Sequence, residues 1–69
     1  MDGSTNFKIS LRAARVNAGL NVIPAAQAIG IGKDKLLKWE KNSGLVPPIW
    51  QKRIAEVYNV PPDAIFYGI

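Results

Sequence analysis

The side chains in this sequence best suited to chemistry are lysines. Residues 31–41 hold Lys33, Lys35, Lys38 and Lys41, four of the nine basic groups in the chain. Ammonium groups at that density bind anions; alone they do not make a catalytic centre. The commonest general base, nucleophile and metal ligands are missing, because the 69 residues include no histidine and no cysteine. The five acidic residues, Asp2, Asp34, Glu40, Glu56 and Asp63, are scattered without metal-ligand or paired-carboxylate spacing. The six glycines form no phosphate-binding loop. Catalysis is the poorest of the available functions, and we expect a binding protein with no cofactor and no metal.

The composition narrows the choice of partner. Nine basic against five acidic residues leave a net charge of +4 and a pI near 9.8. A basic balance in so short a chain favours polyanions, nucleic acid first and anionic membrane second. Residues 16–32 carry no charge over 17 positions. A spanning helix needs roughly 20 apolar residues, and this stretch contains Asn17, Gly19, Asn21, Pro24 and Gln27. It reads as two buried helical segments with a turn, so no membrane partner is expected. The opening ten residues are polar apart from Met1, Phe7 and Ile9 and do not read as a secretion signal. The cytoplasm of a bacterial or phage-infected cell is the expected setting.

Sixty-nine residues imply one domain over 1–69, with residues 1–8 as a candidate tail. A chain this short buries only roughly 60% of its unfolded surface. The 48% hydrophobic content suffices for a core, and without cysteine that core must be held by packing, helped by dimerisation. Glycine, proline and asparagine divide the chain into five short helices. Ser10 can cap the first, with Leu11, Ala14 and Ala18 at helical spacing, and Gly19 ends it. Asn21 is placed to cap the second, whose stripe is Val22, Ala25, Ala26 and Ile29. Pro24 falls in its first turn, where the missing N–H costs little. Gly30 closes it, and a third helix runs from about Lys33 to Lys41. Asn42-Ser43-Gly44 stops the third helix, and Leu45-Val46-Pro47-Pro48 reads as an extended connector. A fourth helix begins at Pro48 and presents Trp50, Ile54, Val57 and Tyr58 on one face. After Asn59-Val60-Pro61-Pro62, a last turn spans about 63–67. No period-2 run reaches strand length, so the expected class is all-α.

At 100° per residue, Lys33, Leu37, Lys41, Asp34 and Lys38 fall within an arc of about 140° on the third helix. Leu36 and Trp39 lie opposite, and Glu40 sits at the boundary. A short helix with an apolar face for the core and a lysine face outward suits a DNA major groove, which rewards donors at guanine N7/O6 and at phosphates. On this reading Lys33 and Lys38 contact bases or phosphates, Asp34 accepts from a cytosine amine, and Lys41 meets a phosphate. Leu37 faces a thymine methyl. Lys35 and Asn42 complete the candidate DNA-binding set. The bland alternatives are a merely solvated lysine face, an Asp34 that only offsets the helix dipole, and a Leu37 buried in core or dimer.

The order of residues also resembles a family. Arg15, Gly19-Leu20-Asn21, Ala25-Ala26, Ile29-Gly30-Ile31, Leu36 and Trp39-Glu40 are similar to the XRE, or Cro/repressor-type, helix-turn-helix domains. Pro47, Ile54, Tyr58-Asn59-Val60 and Asp63 continue the likeness, which covers about residues 9–65. It implies a compact lambda-repressor-like bundle of five helices, with residues 21–41 as the helix-turn-helix unit formed by helices two and three. It further implies a sequence-specific regulator of phage or mobile-element type, binding a palindromic double-stranded DNA operator as a homodimer. By the same resemblance Arg15 and Glu40 form a structural ion pair, and Lys33, Asp34 and Lys38 occupy base-reading positions.

Three departures stand out. Val22 replaces a polar, phosphate-contacting residue of the family, Gly32 replaces a Ser or Thr cap, and Gly44-Leu45-Val46 is apolar where the family is basic. Together with Ile23 and Ile49, residues Val22, Leu45 and Val46 suggest a protein-facing surface or a generous core. The competing function is therefore a helix-turn-helix fold used for protein contact, as in an antirepressor or a toxin partner. For the dimer surface, helices four and five with Phe66, Tyr67 and Ile69 are the favoured location.

Overall fold

A computed structural model of the chain describes residues 8–68. The expected tail therefore lies outside the described residues except for Lys8, which is exposed, and Ile69 lies outside them too. The fold is all-α. Four α-helices follow one another as α1 (Leu11–Asn17), α2 (Val22–Ile29), α3 (Lys33–Lys41) and α4 (Pro48–Tyr58).

Several of the helix limits have local reasons. The Ser10 hydroxyl accepts from the Ala13 N–H at 3.0 Å and so caps α1. Gly19 (φ 75°) and Gly30 (φ 100°) take the left-handed conformation that closes α1 and α2, where a side chain would be strained. Asn59 (φ 58°) does the same after α4. Pro48 opens α4 at a position whose N–H has no intrahelical partner. Asn21 occupies the cap position of α2, but its side chain makes no capping bond, contrary to the role expected of it.

The expected fifth helix is only a single 3-10 turn, Pro62–Ala64. Just beyond it Ile65 is extended and forms an isolated parallel bridge with Ile9. The Ile9 N–H donates to the Ala64 carbonyl at 3.0 Å, and the Phe66 N–H donates to the Ile9 carbonyl at 2.8 Å. These two bonds satisfy backbone groups that a continuing helix would have used internally. A second correction concerns the connector before α4. Its first part is not extended: Ser43–Leu45 forms another 3-10 turn, and only Val46 and Pro47 are extended.

The core collects one face from every helix. Leu11, Ile29, Leu36, Ile54 and Ile65 are its largest fully buried side chains. Ala25 and Ala26 are also buried, and such small side chains let neighbouring elements pack closely on α2. Trp39 of α3 meets Trp50 of α4 with ring centroids 6.1 Å apart and planes inclined by 51°, a tilted aromatic pair. Val46, read as part of a protein-facing surface or of a generous core, is only 3% exposed and belongs to the core. Its backbone is held there on both sides: the Val46 N–H donates to the Ser43 carbonyl at 3.2 Å across the 3-10 turn, and the Val46 carbonyl accepts from Gln51.

Further bonds close the molecule. The Ser43 hydroxyl lies 3.1 Å from the carbonyls of Phe66 and Gly68 and accepts from the Gly68 N–H at 3.3 Å. Gln51 donates to the Val46 carbonyl at 3.0 Å, and Arg53 to the Ile29 carbonyl at the end of α2 at 3.3 Å.

Adjacent leucines on α3 test this arrangement. Leu36 is fully buried and Leu37 is 44% exposed. Leu36→Ala should lower the unfolding free energy by about 2–5 kcal/mol. Leu37→Ala should change it by no more than about 0.5 kcal/mol. Urea unfolding followed by circular dichroism measures both, and equal losses would contradict the assigned rotation of α3.

Candidate functional site

The site is built outward from one ion pair. Arg15 projects from the last turn of α1, and its Nε donates to Glu40 Oε2 at 2.6 Å. Nη2 reaches Glu40 Oε1 at 3.3 Å, so the guanidinium grips the carboxylate with both prongs. Nη1 donates to the Leu20 carbonyl at 2.9 Å, which adds the α1–α2 connection to the same clamp. Both side chains are more than nine-tenths buried. The hydrogen bond to Glu40 is the main cause that pushes Arg15 above its ordinary pKa, and it prevails over the opposing effect of burial.

With Glu40 held and Leu36 and Trp39 buried, the remaining face of α3 is turned outward. Lys33, Asp34, Leu37, Lys38 and Lys41 are all exposed along it. The five residues that the helical wheel placed in one arc therefore share one uncovered face. Lys33 Nζ lies 3.2 Å from Asp34 Oδ1, an exposed pair at the start of the helix. Asp34 in the first turn and Lys38 and Lys41 in the last complement the helix dipole. The dipole role and a ligand role for Asp34 are therefore compatible.

Lys35 and Asn42 stand apart from this group. The Lys35 ammonium lies 5.7 Å from the centroid of the Trp39 ring, a cation–π contact at the other edge of the helix. Asn42 is half-buried at the end of α3, and its side-chain oxygen is buried. Neither joins the exposed lysine face.

Two residues that sequence reasoning had not assigned to this face do join it. Arg12 of α1 and Val22, the first residue of α2, line a concavity with Asp34, Leu37, Lys38 and Lys41, above the Arg15–Glu40 pair. Arg12 lies three positions before Arg15 on the same helix side, and that i, i+3 relation to the clamp was the available signal. Val22, which stands where the resembled family has a phosphate-contacting residue, had been read with Ile23, Leu45, Val46 and Ile49 as a protein-facing surface or a generous core. Ile23, Leu45 and Ile49 are indeed exposed, whereas Val22 is half-buried beside the lysine face and Val46 is internal.

The described residues include no group of three His, Cys, Asp or Glu side chains placed to hold a metal ion. No helix among them is long and apolar enough to cross a membrane. No protein-family model, curated protein or solved structure matches the chain.

Beside the clamp lies Tyr58, 3% exposed, its hydroxyl buried without a hydrogen-bond partner among the described residues. Burial, helped by the nearby Glu40 charge, pushes its pKa up to about 12. Burial alone pushes Tyr67 up to about 12.

Two predictions follow from the clamp and its neighbours. Glu40→Ala should cost about 3–5 kcal/mol, because it leaves the Arg15 charge buried alone. An unchanged thermal midpoint would show that the pair contributes nothing. Unfolded tyrosine ionises near pH 10, and the folded phenols hold their protons to about 12. Above pH 10 the unfolded state therefore binds fewer protons than the folded state, and stability should fall as the pH rises from 10 through 12. Phenolate absorbance of the folded protein should accordingly appear near pH 12; titration of both tyrosines near 10 would contradict their burial.

Proposed function

We propose that this chain is a sequence-specific double-stranded DNA-binding domain of the Cro/repressor-like helix-turn-helix kind, with α2 and α3 as the motif and α3 as the helix that enters the major groove. The observation that carries this reading is the uncovered face of α3, where Lys33, Lys38 and Lys41 surround Asp34 and Leu37 while the opposite face is locked into the core. Only three residues, 30–32, separate α2 from α3. So short a connection, closed by a left-handed Gly30, suits a second helix that projects across the first.

In this reading Lys33 and Asp34, at the leading end of α3, address base edges. Lys38 stands where it can serve either base or phosphate, and Lys41 of α3 and Arg12 of α1 neutralise backbone charge. Arg15 and Glu40 are scaffold. A single short helix reads only a few base pairs, and a two-fold dimer on half-sites about one helical turn apart supplies the rest of the specificity. The work is that of a transcriptional regulator in a bacterial or phage-infected cell, and it involves no catalysis.

One observation favours a second reading, in which the fold serves protein contact. Ile23, Leu45, Ile49 and Phe66 are large apolar side chains left exposed, Ile49 by 77%. That reading does not use the lysine face, and this separates the two.

Selection of binders from a random duplex library at near-physiological salt tests the proposal. The wild-type protein should enrich an inverted repeat. Lys33→Ala with Lys38→Ala should abolish the enrichment without altering the melting temperature. Lys41→Ala should weaken all duplexes alike and reduce the salt slope by about 1. Retention without enrichment, vanishing as salt rises, would leave only sequence-independent attraction and overturn the proposal.

A further inference from the structure

We propose that the chain carries a second binding surface, an apolar groove between the end of α2 and the start of α4, which takes an acidic segment of another protein by one large apolar side chain. The groove shares no residue with the lysine face of α3. It therefore neither rests on the DNA reading nor falls with it.

Ile29 and Gly30 at the end of α2 line the groove together with Ile49, Trp50 and Arg53 of α4, and its volume is about 430 Å³. Ligand pockets run from about 300 to 1,000 Å³, so this one suits an anchor of one or two side chains. Ile29 is buried and Trp50 half-buried, whereas Ile49 is 77% exposed. Covering Ile49 with another apolar group removes that surface from water. The Arg53 Nε donates to the Ile29 carbonyl at 3.3 Å, which fixes an exposed guanidinium on this apolar lining. Its terminal N–H groups are uncommitted among the described residues, and their planar fork matches a carboxylate.

Charge selects the occupant. Lys52 is exposed next to Arg53 in the sequence. Lys35 joins them through the aromatic pair, its ammonium 5.7 Å from the centroid of Trp39, whose ring meets Trp50. The acid on the exposed side of α4 is Glu56, almost one turn beyond Arg53. Cations outnumber it, so the surface attracts an acidic partner. A second copy of this basic chain, docked by the same groove about a two-fold axis, would bring like charges together. A purely apolar occupant would cover Ile49 and leave Arg53 desolvated without a partner. A carboxylate beside an apolar anchor satisfies both.

Selection from a displayed library of short random peptides on the immobilised protein tests the proposal. The wild-type chain should enrich peptides in which an aromatic or branched aliphatic residue is flanked by Asp or Glu. Ile49→Ser and Arg53→Gln should each weaken an enriched peptide about tenfold. Lys33→Ala with Lys38→Ala should leave its affinity unchanged. Ile49→Ser is the deciding variant, because so exposed a side chain can change without moving the melting temperature. Enrichment of basic or wholly apolar peptides, or of none, would overturn the proposal, as would binding that survives Ile49→Ser. A wild-type dimer that Ile49→Ser dissociates would assign the groove to a second copy instead. Capture by phosphatidylglycerol vesicles, abolished by the same change, would assign it to a membrane surface and equally overturn the proposal.

Discussion

The two-pronged bond between Arg15 and Glu40 is the constraint on which the outward face of α3 depends. Burying two opposite charges costs several kcal/mol per ion in desolvation, and only close geometry with extra hydrogen bonds offsets it. Both conditions are met, since the guanidinium makes two bonds to the carboxylate and a third to the Leu20 carbonyl. The return is directional. Apolar contacts at Leu36 and Trp39 would tolerate some rolling of α3 about its axis, whereas a planar fork gripping Glu40 allows little. Because Glu40 borders the exposed arc, fixing it fixes which side chains face outward. Leu37 becomes a surface residue and Leu36 a core residue for the same reason.

That constraint lets a small domain display charge. The lysines of α3 repel one another, and no disulfide compensates. The bundle holds them on a helix whose other side is anchored three ways: to α1 through the ion pair, to α4 through the Trp39–Trp50 contact, and to the core through Leu36. The connector after α3 adds to this. Val46 in it is buried, and its 3-10 turn holds Ser43 against the carbonyls of Phe66 and Gly68, so the segment after α4 returns to the end of α3. Stability and display thus share the same residues, and substitutions at the anchors should disturb both.

Much of this was legible in the sequence, for identifiable reasons. Both limits of α1, the end of α2 and the start of α4 are marked by residues whose backbone chemistry is nearly unambiguous: Ser10, Gly19, Gly30 and Pro48. The exposed face of α3 follows from its 3.6-residue period alone. Other features depend on tertiary packing and leave little local trace. Val46 reads equally as surface or core until the fold of the connector is known. Asn21 has the right type and position for a capping side chain, yet makes no such bond. The segment after Pro62 has no strand pattern, because its bridge to Ile9 involves single residues rather than a periodic run. Arg12 and Val22 join the candidate site because the clamp brings α1 and the start of α2 beside α3, and the i, i+3 spacing of Arg12 from Arg15 was the one local trace of it.

The central claim is that the outward face of α3, with its flanks from α1 and α2, is the surface that meets DNA. Amide shift mapping of the ¹⁵N-labelled protein, titrated with a short mixed-sequence duplex at low salt, tests it most directly. The account predicts perturbations concentrated at Arg12, Val22 and residues 33–41, fading as salt is added. Perturbations centred on Ile23, Ile49 and Trp50, or spread evenly over all the basic residues, would contradict it.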